Sequence, residues 1–247
     1  MSYNSHAKDI FIITGASRGL GRAIASELAG TETVIVLINR ANAKAAVNEM
    51  RQKGAQVYTL SCDLSRVEKV TRLADVILKK VALRQARSLT LINCAGIITP
   101  IGFAGEVNAQ EALKNLHVNA VSPILLSHGF LNISKRFKGV RLIVNISTGA
   151  AKRPIAGWGL YCSAKAALEM FSQCINSEQE IRASKVRIMS IDPGALDTRM
   201  QESIRRQKKS AFPLVGKFIE WHRKGELKSP QSAACEIVNL IRLKLKD

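Results

Sequence analysis

Tyr161 and Lys165, in the stretch Tyr161-Cys-Ser-Ala-Lys165, are the two side chains of this sequence best suited to moving a proton. Four residues apart on a helix, they share one face and stand one turn from each other. A free tyrosine gives up its proton near pH 10 and exchanges it poorly at neutrality. A neighbouring ammonium favours the phenolate, more so where water is partly excluded. A shift of roughly 2–3 units would make Tyr161 a general acid/base tuned to its working pH. Tyr and Lys also meet at this spacing by chance on solvated helices, so the surrounding elements must decide the reading.

Those elements alternate from end to end. Asp9-Ile-Phe-Ile-Ile-Thr14 is a short apolar run of the kind that forms a strand buried on both faces. It passes through Thr14-Gly15-Ala16-Ser17-Arg18-Gly19-Leu20-Gly21 into a segment of helical spacing. Strand, glycine-rich turn and helix form the setting of a phosphate-binding turn, in which a pyrophosphate approaches free N–H groups at the helix start. The spacing Gly15-xxx-Gly19-x-Gly21 differs from the common GxGxxG. Further strands are expected at 33–39, 56–61, 88–92, 140–146 and 186–191. Helices are expected at 41–53, 65–83, 106–116, 119–137 with a kink at Pro123, and 160–182. A last one at 230–245 is capped by Ser229, and 203–225 reads as irregular or partly helical. The pattern predicts one α/β domain over 1–247, a parallel doubly wound sheet with right-handed crossovers.

Strand ends then acquire meaning. The second strand stops at Asn39-Arg40, where a fold selecting NAD places an acid against the ribose 2′-hydroxyl. Asn39 repels no phosphate, and Arg40 and Arg18 can both pair with one. Asn93-Cys-Ala-Gly96 puts small residues at the carboxyl end of a central strand, leaving room for a ligand.

Composition narrows the class. Charged residues make up 23% and hydrophobic residues 47%, ordinary for a globular protein, and no apolar run reaches membrane-spanning length. The first nine residues carry no apolar core of a signal peptide, so a cytoplasmic location is expected. Five scattered cysteines without a CxxC or Cys/His cluster argue against disulfides and metal; Cys94 and Cys162 read as packing residues. The formal net charge is +18, and 199–228 holds nine basic residues against three acids. Elsewhere the basic residues are scattered, so a solvated surface is expected rather than a nucleic-acid partner.

Together these motifs resemble the short-chain dehydrogenase/reductase family over essentially the whole chain. The resemblance rests on Thr14–Gly21, Asp63-Leu64, Asn93–Gly96, the Asn119 of His-Val-Asn, Tyr161–Lys165, and Asp192-Pro-Gly194 followed by Thr198. Gly157-Trp158-Gly-Leu-Tyr161-Cys162 further resembles the sepiapterin reductase and benzil reductase branch. The family implies a Rossmann-type fold of about six parallel strands, ordered 3-2-1-4-5-6 with helices on both faces. A seventh strand is expected to be missing here, because the chain stops at Leu243-Lys-Leu-Lys-Asp247. The implied activity is NADPH-dependent reduction of a small ketone or α-dicarbonyl compound. A catalytically idle NADP(H)-binding sensor or scaffold and a pterin reductase are the alternatives.

Residue roles follow from the same resemblance. Tyr161 would protonate the carbonyl oxygen, Lys165 would hold the ribose and lower the Tyr161 pKa, and Asn119 would keep a water in line. The carbonyl-polarising hydroxyl falls on Thr148, with Ser147 beside it; the family usually has serine. NADP(H) would lie along Gly15, Ser17, Arg18, Gly19, Leu20 and Gly21, then Asn39, Arg40, Asp63 and Leu64. Asn93, Ala95, Gly96, Pro193, Gly194 and Thr198 would line its other half. Trp158, Phe212 and Trp221 are candidate substrate walls, with Gly149, Ala150 and Ala195, under a lid at 195–228. A homodimer is implied through 119–137 and 160–182, with Ala164, Ala167, Leu168 and Phe171 at the contact.

Overall fold

Alternate residues of the inner strands leave the sheet on opposite faces, and both faces are apolar. The computed structural model describes residues 8–41, 43–81, 83 and 86–246. Residues 1–7, expected to carry no signal peptide, lie outside the described residues, as do Asp247 and, within two expected helices, Asn42 and Ala82. In chain order the first half runs β1 (Lys8–Thr14), α1 (Gly19–Leu28), β2 (Thr33–Asn39), α2 (Lys44–Gln52), β3 (Gln56–Ser61), α3 (Val67–Val70), α4 (Leu73–Lys80) and β4 (Ala86–Asn93). The second half runs α5 (Ala109–Leu116), α6 (Ser122–Ile133), β5 (Val140–Ile146), α7 (Gly159–Ile181), β6 (Val186–Ile191), α8 (Arg199–Arg205), α9 (Val215–Arg223) and α10 (Pro230–Lys246). The six strands are parallel, in the order β3-β2-β1-β4-β5-β6.

Phe11, Ile13, Ile35, Leu37, Leu142 and Val144 pack under α1, α2 and α10. Ile10, Ile12, Val36, Leu89, Leu91 and Ile143 pack under the opposite layer, with Phe130 of α6 and Ile175 of α7. This explains why the strands read as continuous apolar runs rather than alternating ones. Each fully buried Leu or Ile contributes about 1.5–3 kcal/mol. Ion pairs such as Arg22–Glu49 and Lys228–Glu236 lie at the surface, where such pairs contribute about 0–1 kcal/mol. The apolar faces therefore hold the fold.

Three helical expectations change. The helix expected over 65–83 is broken at Thr71–Arg72, where the Thr71 hydroxyl donates to the Glu68 carbonyl and bends the chain. The helix expected from 106 starts at Ala109, because Asn108 accepts from the N–H groups of Gln110 and Glu111 as its cap. The kink expected at Pro123 is instead a π-helical turn at His117–Val121, which joins α5 to α6. Residue 123 has no N–H to give the Asn119 carbonyl, and Ser122 donates to His117 in the wider register.

The segment 203–225, read as irregular or partly helical, holds the end of α8 and all of α9. The wider stretch 195–228 leaves and re-enters the fold at one point: Lys228 N–H donates to Ala195 and Asp197 N–H donates to Lys228, 2.9 Å each. Two of the four expected dimer residues are inside the subunit, since Ala164 and Leu168 are buried. Among the described residues, no helix is long and apolar enough to cross a membrane.

Candidate active site

Because all six strands point the same way, their carboxyl ends share one edge, and the expected site residues gather there. Thr14, closing β1, accepts from the N–H groups of Cys94 (3.0 Å) and Ala95 (3.1 Å), which stitches the exits of β1 and β4 together. Gly15, at φ +74°, fits between them because a Cβ would lie 2.8 Å from the Ala95 Cα. α1 begins three residues after Ala16 with no side-chain cap and no acid in its first turn. Its N–H groups are thus left for an anion. Asn39, only 7% exposed, has neither of its buried amide atoms paired. Buried amide atoms without a partner are rare, and a bound ligand or an ordered water would satisfy these two.

Arg18 and Arg40 are exposed beside these groups. Asp63 accepts from the N–H and hydroxyl of Ser65, and these bonds, aided by Arg40 and Lys114, hold its carboxyl below the usual range. Leu20 and Leu64, both expected near the dinucleotide, turn their side chains into the two apolar cores, so only their backbones remain for it. Ser17, Ala95 and Gly96 stay partly open at the edge. Thr198 reaches across to the turn, its methyl 3.7 Å from where a Cβ on Gly19 would sit.

Asn93 departs from its expected role. Its amide donates to Asn145 Oδ1 (2.8 Å), and Asn145 donates in turn to Ser172 of α7. The side chain is therefore part of a buried polar chain beneath the edge rather than a lining. Asn119 grips the loop after β4 like a peptide partner: Nδ2 donates to the Ile97 carbonyl (2.7 Å) and Oδ1 accepts from the Ile97 N–H (3.0 Å). A second Nδ2 bond goes to Asn115 (2.9 Å), which leaves the amide no free proton.

Thr148 and Ser147 separate cleanly. The Ser147 hydroxyl donates to Glu169 of α7 at 2.9 Å and so faces away from Thr148, as successive residues at a strand end do. Ser147 thereby drops out as the polarising group. Thr148 caps the short 3-10 turn Gly149–Ala151 by accepting from the Ala150 N–H, and its hydroxyl proton stays available.

Tyr161, in the first turn of α7, is 8% exposed, with Trp158 edge-on at 5.8 Å between ring centroids. Lys165, 5% exposed, donates to the Ile146 carbonyl (2.7 Å), and its Nζ lies 6.0 Å from the Tyr161 ring centroid. Burial pulls the lysine down to about 8. Tyr161 corrects the sequence reading: burial, reinforced by Asp192 and Cys162, pushes its phenol up, not down. At this separation, with one of its three N–H donors on a carbonyl, the lysine does not offset the loss of water. Burial also pushes the Cys94 thiol up to about 12, which fits packing.

The expected substrate walls divide. Phe212 is fully buried and stacks on Trp158 at 4.9 Å, so it anchors the 195–228 segment and offers no surface. Trp221 belongs to the outer layer, against Phe218 and under Lys217. Ala195 contributes its carbonyl to the base of the lid, and Ala150 is buried beside Tyr161. Gly149 stays open and faces Asp192, whose Oδ1 accepts from Gly194 beyond Pro193. Asp192 went unremarked in the sequence except as part of a turn motif. A cleft of about 340 Å³ lined by Gln179, Arg187 and Lys244 lies at the other end of β6, away from this chemistry.

Comparison with known proteins agrees with this geometry. The short chain dehydrogenase family matches residues 9–209. A benzil reductase ((S)-benzoin forming) of Bacillus cereus is 34% identical over 230 residues, 93% of this chain and 92% of the relative. Sepiapterin reductase of Rattus norvegicus is 31% identical over 94% of this chain and 91% of its own length. Among solved structures, the KRED1-Pglu enzyme superposes with a TM-score of 0.80 at 26% identity, covering 94% of both chains. A metagenomic short-chain oxidoreductase in complex with NADP gives 0.68 at 28% identity, covering 78% of this chain and 85% of its own. The family match covers most of the chain and the relatives match nearly all of it, so the protein, with its glycine turn, Tyr–Lys helix and six-stranded parallel sheet, belongs to the short chain dehydrogenase family of oxidoreductases.

Proposed function

We propose that the protein is an NADPH-dependent carbonyl reductase that converts a small ketone or α-dicarbonyl compound, aromatic in part, to the alcohol. The observation that carries this reading is Tyr161, a buried phenol on the same edge as the free hydroxyl of Thr148. A phenol placed there has a proton to give to a developing alkoxide. The benzil reductase relative acts, by its name, on a dicarbonyl compound.

A dinucleotide suits the residues present: the uncapped start of α1, the close approach at Gly15, and the unpaired amide of Asn39. When bound, NADPH supplies the hydride. Arg18 and Arg40, exposed at the edge, would hold the 2′-phosphate, and the metagenomic relative was solved in complex with NADP. Thr148 donates to the carbonyl oxygen and orients it, and Tyr161 passes its proton to that oxygen. Lys165, pulled towards neutrality by burial, holds the ribose side. The Asn119 carbonyl, denied a donor by Pro123, is the acceptor that keeps a water in line for resupply.

The outward stripe of α7, Ala167, Met170, Cys174 and Ile181, replaces Ala164 and Leu168 as the contact of a homodimer. Five unpaired cysteines suit a reducing, cytoplasmic setting.

Three outcomes test this reading. With carbonyl compounds supplied, NADPH oxidation should run with at least tenfold tighter cofactor binding than NADH, about 1.4 kcal/mol, and Arg40→Asp should erase that preference. Equal affinities in the unaltered protein would remove the 2′-phosphate assignment. Thr148→Val should slow the chemical step roughly 10²-fold, about 2.7 kcal/mol, leaving NADPH affinity unchanged, while Thr148→Ser stays active. Ser147→Ala, which loses only its bond to Glu169, should matter far less; the reverse ranking would move the register by one residue. Met170→Glu should shift the mass seen by light scattering from dimer to monomer, and a monomer before substitution would contradict the proposed contact.

A further inference from the structure

Asp192 follows directly on β6, and the two oxygens of its carboxylate have different occupations. Oδ1 accepts from the Gly194 N–H at 2.9 Å and fixes the turn. Oδ2 points to the catalytic edge: it lies 3.4 Å from where a Cβ on Gly149 would sit, one residue beyond Thr148. Its charge reaches Tyr161, where it adds to the effect of burial. Thr148 and Tyr161 are the two groups that handle the carbonyl oxygen in the reading above. No Lys, Arg or His among the described residues forms an ion pair with Asp192, although the chain carries a net charge of +18.

An open carboxylate oxygen beside a carbonyl site is an acceptor without a donor. It repels a second bare carbonyl oxygen and attracts an N–H or ammonium group. From this geometry we infer that Asp192 is a specificity-determining residue, selecting carbonyl compounds that carry an amino group on the carbon next to the carbonyl. This inference rests on the carbonyl reductase reading for its reaction, and narrows the substrate from ketones and dicarbonyls in general to amino ketones. Because Asp192 is exposed, the discrimination is about tenfold rather than the far larger ratios of a sealed pocket.

The test compares three phenyl ketones with NADPH: acetophenone, its analogue with a hydroxyl on the adjacent carbon, and its analogue with a methylamino group there. The unaltered protein should show kcat/KM about tenfold or more higher for the amino ketone than for acetophenone, with the hydroxy ketone between. In Asp192→Asn, which retains the oxygen that caps Gly194, this ratio should fall to within about twofold of one. A residue that only shapes the turn would move all three rates together and leave the ratio unchanged, and an unchanged ratio overturns the inference. Calorimetric titration with the matching amino alcohol, which cannot be reduced, supplies a reading independent of turnover. If no ketone is reduced yet the amino alcohol binds at least tenfold more weakly to Asp192→Asn, the reductase reading fails and the Asp192 assignment stands. Equal binding to both proteins overturns the assignment itself.

Discussion

Parallel strand direction is the constraint from which the rest of this molecule follows. Six strands running one way deliver six carboxyl ends to one edge, and the sheet can be parallel only because both faces are covered. Stability thus comes from the apolar faces, leaving the edge free to carry residues chosen for chemistry. Thr14, Asn39, Asn93, Ser147 and Asp192 all stand at or just past strand ends. Even the polar atoms buried under the edge, from Asn93 through Asn145 to Ser172, serve to tie the strand exits to α7. That link connects the helix bearing Tyr161 and Lys165 to the central strands without using either of those side chains.

The electrostatics of the pair follow from depth more than from mutual attraction. Burial disfavours both charged forms, so the phenol is pushed up while the ammonium is pulled down to about 8. The expectation that Lys165 would lower Tyr161 treated the two groups as an isolated ion pair in waiting. In the folded protein the ammonium gives one of its three N–H donors to the Ile146 carbonyl, and Asp192 adds a charge of the wrong sign for a phenolate.

Much of this was legible in the residues, and the failures have causes. The strands 33–39, 56–61, 140–146 and 186–191 were read to their exact ends because charged or small residues bound the runs, Glu32 and Arg40 around one and Lys185 and Asp192 around another. The glycine turn and the Tyr–Lys helix were equally plain, since both are local. The π-helical turn was not, because Pro123 signals a lost N–H but not how the chain absorbs it. Phe212 read as a possible wall because an aromatic ring in a lid gives no sign of its direction; stacking on Trp158 is a contact across many residues. Asp192 hid inside a turn motif, and only the folded chain brings Gly149, in the turn after β5, up to its second oxygen.

Depth, not the lysine, sets the protonation of Tyr161. The chain has three tyrosines, so ring-carbon-labelled tyrosine gives three resonances in an NMR pH titration, and Tyr161→Phe identifies the one that matters. In the cofactor-free protein the Tyr161 signal should stay that of a phenol beyond pH 10.0, the ordinary midpoint of a tyrosine. A phenolate signal for Tyr161 near neutral pH would show that Lys165 outweighs burial and would contradict the account.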